Sequence, residues 1–156
     1  MSGIVRPCRP EDTPQIHALI ARIFADYGYA FEVEHENPHL AEPGPYFRRT
    51  GGEFWVVEHD GQVIATAGVL LRDDEAELRS LYVAPEHRRR GWGRTLTQRA
   101  IEHARAAGKP RIVLWTDTRF REAHRLYESL GFTRAGRRSV ASTNSFCEHF
   151  YELPLR

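Results

Sequence analysis

The sequence predicts an α/β (α+β) fold, a mixed sheet with helices packed on its faces. Two observations carry this expectation. Three strand-like runs follow one another between positions 53 and 83 with only turn signals between them, and an alternation of helix and strand follows from about position 91. At 156 residues with 41% apolar content, the chain has the size and composition of one domain over residues 1–156, with no Pro/Gly/Ser-rich linker to divide it.

The elements follow in order. After a short apolar stretch, Ile4 to Pro7, the segment Glu11 to Tyr27 places Ile16, Leu19, Ile20, Ile23, Phe24 and Tyr27 at helical spacing. From Gly28 to Tyr46 the periodicity fails, and Pro38, Pro43 and Pro45 allow a loop with at most a short helix. Glu53 to Glu58 and Val63 to Leu71 read as strands joined at Asp60-Gly61, the strongest hairpin signal in the chain. Glu77 to Val83 is the next strand of the meander, entered through Asp73-Asp74 and closed by Ala84-Pro85. A helix beginning near Gly91 carries Leu96, Ala100, Ile101 and Ala104 on one face and stops at Gly108 and Pro110. Arg111 to Trp115 reads as a buried strand. Asp117 or Thr118 is the expected cap of a helix with Ala123, Leu126, Tyr127 and Leu130 inward, and strands near Phe132–Arg138 and Phe146–Leu153 finish the chain.

Charge is abundant but balanced, 22 Lys+Arg against 21 Asp+Glu, so bulk attraction to nucleic acid or to an anionic membrane is not implied. No apolar run is long enough to span a bilayer, and Met1-Ser2-Gly3-Ile4-Val5-Arg6 lacks the charged-then-apolar order of a leader. The expectation is a cytoplasmic protein in which Cys8 and Cys147 are free thiols.

The most informative stretch is Leu81-Tyr82-Val83-Ala84-Pro85-Glu86-His87-Arg88-Arg89-Arg90-Gly91-Trp92-Gly93-Arg94, a strand leading through a glycine-containing turn into a helix. The first helical turn offers unpaired N–H groups and the positive end of the dipole, and glycine lets a phosphate approach the backbone. Arg88, Arg89 and Arg90 are unfavourable against that dipole unless an anion sits among them. A solvated arginine run would show the same residues. A dinucleotide fingerprint would need glycine where Leu96 stands, and a P-loop would need Gly-Lys-Ser/Thr.

Arg88-Arg89-Arg90-Gly91-Trp92-Gly93 resembles the Q/R-x-x-G-x-G/A acetyl-CoA motif of the GNAT superfamily of N-acetyltransferases. Ala123-His124-Arg125-Leu126-Tyr127-Glu128-Ser129-Leu130-Gly131-Phe132 is similar to that family's A-x-x-L-Y-x-x-L-G-F motif, and the two stand in the family's order and spacing. The resemblance, specific from about Glu77 to Phe132, implies a mostly antiparallel sheet whose fourth and fifth strands splay to admit acetyl-CoA. It further implies that the backbone of Leu81 to Val83 meets the acetyl group and pantetheine arm, Tyr82 between them, and that amides from Arg89 to Arg94 hold the pyrophosphate. Ala123 and Phe120 line the same arm. Many members carry Asn at the Phe120 position, so that polar contact is absent here or replaced.

By the same resemblance, Tyr127 protonates the departing thiolate and Glu77 is the first candidate for the base, with Glu75 as the alternative. As residues alone, Tyr127 fits an amphipathic core tyrosine and Glu77 a strand carboxylate. The expected partners are acetyl-CoA, with no metal, and an amine that the sequence leaves unidentified. A homodimer is left open. The charged loop Gly28 to Tyr46 is expected to shape the acceptor pocket, with Glu32, Glu34 and Glu36 available to a cationic amine.

Three other readings compete. A non-catalytic CoA-sensing module would carry the same cradle. A nucleic-acid binder using Arg88 to Arg94 is disfavoured by the balanced charge. His35-Glu36-Asn37-Pro38-His39 formally matches the zinc-hydrolase pattern HExxH, but Pro38 opposes the continuous helix that His35 and His39 would need to converge on an ion.

Overall fold

The computed structural model describes residues 3–155 and is built on a seven-stranded sheet. Met1, Ser2 and Arg156 lie outside the described residues, and with them the first two positions of the leader argument. The strands are β1 (Ile4–Pro7), β2 (Glu53–His59), β3 (Gln62–Leu71), β4 (Ala76–Val83), β5 (Arg111–Asp117), β6 (Thr133–Ala141) and β7 (Ser145–Pro154). Their spatial order is β1-β2-β3-β4-β5-β7-β6, antiparallel at every pairing except β4 with β5. The helices are α1 (Thr13–Asp26), α2 (Pro43–Arg48), α3 (Trp92–Ala106) and α4 (Arg121–Ser129).

The expected meander forms. Asp60 and Gly61 have φ of 50° and 74°, the pair of positive values that a two-residue type I′ hairpin demands, and they join β2 to β3. β3 is buried from Val63 through Leu70 on both faces, because helices cover both sides of the sheet. α1 brings down Ile16, Leu19, Ile20 and Ile23, and α3 brings Leu96, Ala100, Ile101 and Ala104, the stripes their periodicity predicted. Cys8 is a buried free thiol and Cys147 a half-buried one.

Three boundaries differ from expectation. The segment before α1 starts as a 3-10 turn at Pro10–Asp12, so the α-helix proper begins at Thr13. The hairpin of β6 and β7 is longer than predicted and turns at Ser142 to Asn144. Neither Asp117 nor Thr118 caps α4. The cap position is Phe120, without a side-chain bond, because the Asp117 carboxylate accepts from the Tyr29 hydroxyl at 2.6 Å and the Arg119 amide at 2.8 Å. Of the predicted inward face of α4, Tyr127 is buried and Phe132 beyond it joins the core, whereas Ala123, Leu126 and Leu130 are half-buried. His124 takes the remaining inward position, its Nε2 bonded to the Asp117 carbonyl at 2.9 Å.

Candidate active site

The site begins where the sheet opens. β4 and β5 pair only at Ala76–Ile112 and Glu77–Val113, while β5 goes on pairing with β7 through Asp117. Past Val113 the two strands diverge, leaving backbone groups of β4 without a neighbouring strand. β4 also carries a bulge: two residues, Ser80 and Leu81, stand opposite Ala67 between the pairs Thr66–Tyr82 and Gly68–Arg79. Ser80 has φ of 58°, uncommon outside glycine, and the Thr66 hydroxyl donates to its carbonyl at 2.8 Å, which holds the bulge in place.

Two cavities meet at this gap. An outer cleft of about 460 Å³ runs between β4, the start of α3 and the start of α4. Its wall includes Leu81, Tyr82 and Val83 of β4, Arg88, Arg89, Gly91, Trp92, Gly93 and Arg94 of the turn and helix, and Phe120 and Ala123. Gly91 is the N-cap of α3, in left-handed conformation at φ 86° and without a side-chain cap, so the first-turn N–H groups are presented unshielded. Three arginines behave differently from one another. Arg88 folds back to donate to the Val83 carbonyl at 3.1 Å, Arg89 reaches Glu122 at 3.5 Å while staying largely exposed, and Arg94 donates to the Ser129 hydroxyl at 2.8 Å. Arg90 does not line the cleft; its guanidinium lies 3.4 Å from His87 Nδ1. Trp92 is wedged inward, its indole N–H buried and without a hydrogen-bond partner among the described residues.

The inner cavity, about 230 Å³, shares Leu81, Tyr82, Phe120 and Ala123 with the cleft. It contains both residues expected to do chemistry, Tyr127 and Glu77. Tyr127 is 4% exposed, and burial, with smaller contributions from Tyr82 and Tyr151, pushes its hydroxyl well above the ordinary phenol range. It therefore keeps its proton at neutral pH. Glu77 is 7% exposed, one oxygen paired with Arg72 and the other 3.3 Å from Arg79. Glu75 lies outside this cavity, tied to Arg111 at 2.6 Å.

The loop expected to border the acceptor does so in part. Glu36 and His39 line the inner cavity, but Glu32 turns inward on its own loop, accepting from the amides of His35 and Glu36. The Glu36 carboxylate accepts from the Thr143 amide at 2.8 Å. Asn144 exchanges two hydrogen bonds with the Ala30 backbone, at 2.9 and 2.8 Å, clasping the loop to the tip of the β6–β7 hairpin. Sequence reasoning missed Arg79, Asp117, Phe146 and Glu148 in this wall and Arg119 in the cleft. Strand alternation offered one signal: Arg79 follows Glu77 by two residues and shares its face.

His35, Glu36 and His39 do not form a ligand set. Pro38 begins a 3-10 turn at Pro38–Leu40 instead of continuing a helix, His35 is exposed, and His39 is half-buried against Phe47 and Tyr46.

Residues 16–132 match the Acetyltransferase (GNAT) family. The chain is a GNAT-family N-acetyltransferase. Over 137 residues it is 32% identical to an uncharacterized N-acetyltransferase of Escherichia coli, covering 84% of this chain and 82% of that one. A mycothiol acetyltransferase of Thermomonospora curvata is 34% identical over 114 residues, but only 38% of its length is matched. Among solved structures, an acetyltransferase of Streptococcus agalactiae superposes with a TM-score of 0.82 at 22% identity, with 96% of each chain covered. The family's reaction is acetyl-CoA-dependent transfer to nitrogen, and the acetyltransferase's own residues fit that co-substrate. An open strand edge faces the gap, an uncapped helix start and exposed Arg89 flank it, and Phe120, its ring centroid 4.8 Å from that of Tyr27, gives the wall an aromatic face. Among the described residues no helix is long and apolar enough to cross a membrane.

Proposed function

We propose that this chain transfers the acetyl group of acetyl-CoA to a primary amine by direct attack in a ternary complex, with Tyr127 as the acid and Glu77 as the proton acceptor. The observation that carries this reading is the junction of the two cavities. A long anionic molecule can lie in the cleft with its reactive end at Leu81 and Tyr82, where the inner cavity holds a protonated phenol and a carboxylate.

Bound acetyl-CoA supplies a carbonyl carbon activated as a thioester. The helix start and the arginines hold its phosphates, and the open edge of β4 beyond Glu77 holds its arm. The acceptor nitrogen bonds to the carbonyl carbon as the carbon–sulfur bond breaks, and its proton passes to Glu77 directly or through one water. The Tyr127 hydroxyl gives its proton to sulfur, and the proton taken by Glu77 returns to Tyr127 through water, which closes the balance. Free alkylamines titrate at about 10, so an acceptor arriving as ammonium first releases one proton to solvent, and the neutral amine then enters the cycle above.

The test is CoA release from purified protein and acetyl-CoA with a panel of amines, followed by CoA affinity by calorimetry. Binding of acetyl-CoA without release of CoA to any amine would leave a CoA-sensing module.

A further inference from the structure

We infer that the acceptor is a small amine that also carries a carboxylate, of the size of an amino acid, and that Arg79 is the specificity-determining residue that takes this carboxylate. The inference rests on the transferase reading of the inner cavity.

Size comes first. At about 230 Å³ the space lies below the ~300–1,000 Å³ of sites for drug-sized ligands, so it suits a molecule of few heavy atoms. Its wall carries charges of both signs, the carboxylates of Glu36, Glu77, Asp117 and Glu148 with the guanidinium groups of Arg79 and Arg138. A purely cationic guest would leave the two arginines unmatched, and a purely anionic one the four carboxylates.

Partners separate the two arginines. Arg138 donates to Glu148 at 2.8 Å and lies over the Trp115 ring at 4.0 Å. Arg79 is the inner end of an alternating ion ladder. Arg111 meets Glu75 at 2.6 Å, Glu75 lies 3.8 Å from Arg72, Arg72 holds Glu77, and Glu77 lies 3.3 Å from the Nε of Arg79. No further carboxylate among the described residues continues the ladder past Arg79. Its side chain makes no other ion pair and no side-chain hydrogen bond with a described residue, although it is only a third exposed. A guanidinium presents a fork matched to carboxylate, and a partly desolvated fork with unused donors is a site for one. His39 beside it does not compete as a cation, since burial and, secondarily, the charge of Arg79 push its imidazole down to about 3. With the carboxylate on Arg79, the amine of a short zwitterion remains inside the same small cavity as Tyr127 and Glu77.

The experiment measures CoA release with α-amino acids, each matched to the amine it becomes on loss of its carboxylate, such as L-phenylalanine with 2-phenylethylamine. The expected result is a preference of roughly 10- to 150-fold in kcat/KM for the carboxylate-bearing partner of an accepted pair, the range of a charge-assisted hydrogen bond. Arg79→Gln should bring that ratio close to one through KM, with CoA affinity unchanged, and Arg79→Lys should restore part of it. Equal or faster turnover of decarboxylated amines, turnover of peptide amino termini alone, or an unchanged ratio in folded Arg79→Gln would overturn the inference while leaving the transferase reading intact. No CoA release to any amine from protein that binds acetyl-CoA would remove the transferase reading and this inference with it.

Discussion

Replacing Gly91 with alanine separates the cost of a backbone conformation from the cost of a lost ligand contact. At φ 86° an L-residue is strained by about 1–2 kcal/mol, yet nothing in the protein lies within 4 Å of the added methyl group. For a chain of this size each kcal/mol lowers Tm by about 2–4 °C, so a drop of a few degrees is expected from strain alone. Gly61→Ala is the matched control, because Gly61 has φ 74° and equally open surroundings at the β2–β3 turn. If phosphate approaches the α3 start closely, the methyl group at position 91 displaces it and costs at least one charge-assisted hydrogen bond, about 1.5–3 kcal/mol, or roughly 10- to 150-fold in Kd. Calorimetry of acetyl-CoA on both variants, with melting curves, reads the two effects separately. Equal affinity in Gly91→Ala and Gly61→Ala proteins that melt alike would refute the placement of phosphate at the helix start.

Four further outcomes are expected. Tyr127→Phe keeps the packing and removes the proton, so the acetyl-transfer step should slow by about 10²-fold or somewhat less with CoA affinity intact, as stopped-flow measurement would read; an unchanged step would leave Tyr127 as a packing residue. Glu77→Gln should depress activity most at low pH and recover in part with alkalinity, and its melting temperature should also fall because Arg72 and Arg79 lose their shared anion. Asn144→Ala removes the clasp on the Ala30 backbone and should raise the acceptor's KM while sparing CoA affinity. His39, held neutral down to about pH 3 in the fold but titrating near 6.5 when unfolded, binds its proton in the unfolded state first; stability should therefore fall as pH drops from 6.5 towards 3, and less so in His39→Phe, by urea unfolding at pH 7 and 4.5.

What was legible in the sequence was local. The Asp60-Gly61 turn, the stripes of α1 and α3 and the strand-turn-helix at Gly91 each depend on residues close together in the chain, and each formed where expected. The misplaced cap of α4 shows the opposite case. Asp117 has the chemistry of an N-cap, but a tyrosine 88 residues away claims its carboxylate, and no local pattern records that competition. The bulge at Ser80 likewise depends on Thr66 across the strand pair, and the insertion of β7 between β5 and β6 depends on which edge of the sheet the last hairpin reaches.

The same distinction divides the site. Apart from Ile23 and Tyr27, the outer cleft is walled by two contiguous segments, Leu81 to Arg94 and Arg119 to Leu126, so a linear motif can describe it. Tyr127 and Glu77, named from such motifs, lie together in the inner cavity. The rest of that cavity is assembled from α1 and the loop after it, β4, β5, the start of α4, and the β6–β7 hairpin, segments drawn from nearly the whole length of the chain, which a motif cannot encode. Arg79 shows the consequence: in sequence it is one arginine among many on a strand, and only the ladder that ends on it and the cavity that receives it give it a role. A family defined by its cofactor motif therefore leaves its acceptor open. In this chain the inner wall pairs Arg138 with Glu148 and leaves Arg79 with a single ion pair, to Glu77, and the proposed acceptor carboxylate draws on the donors that remain.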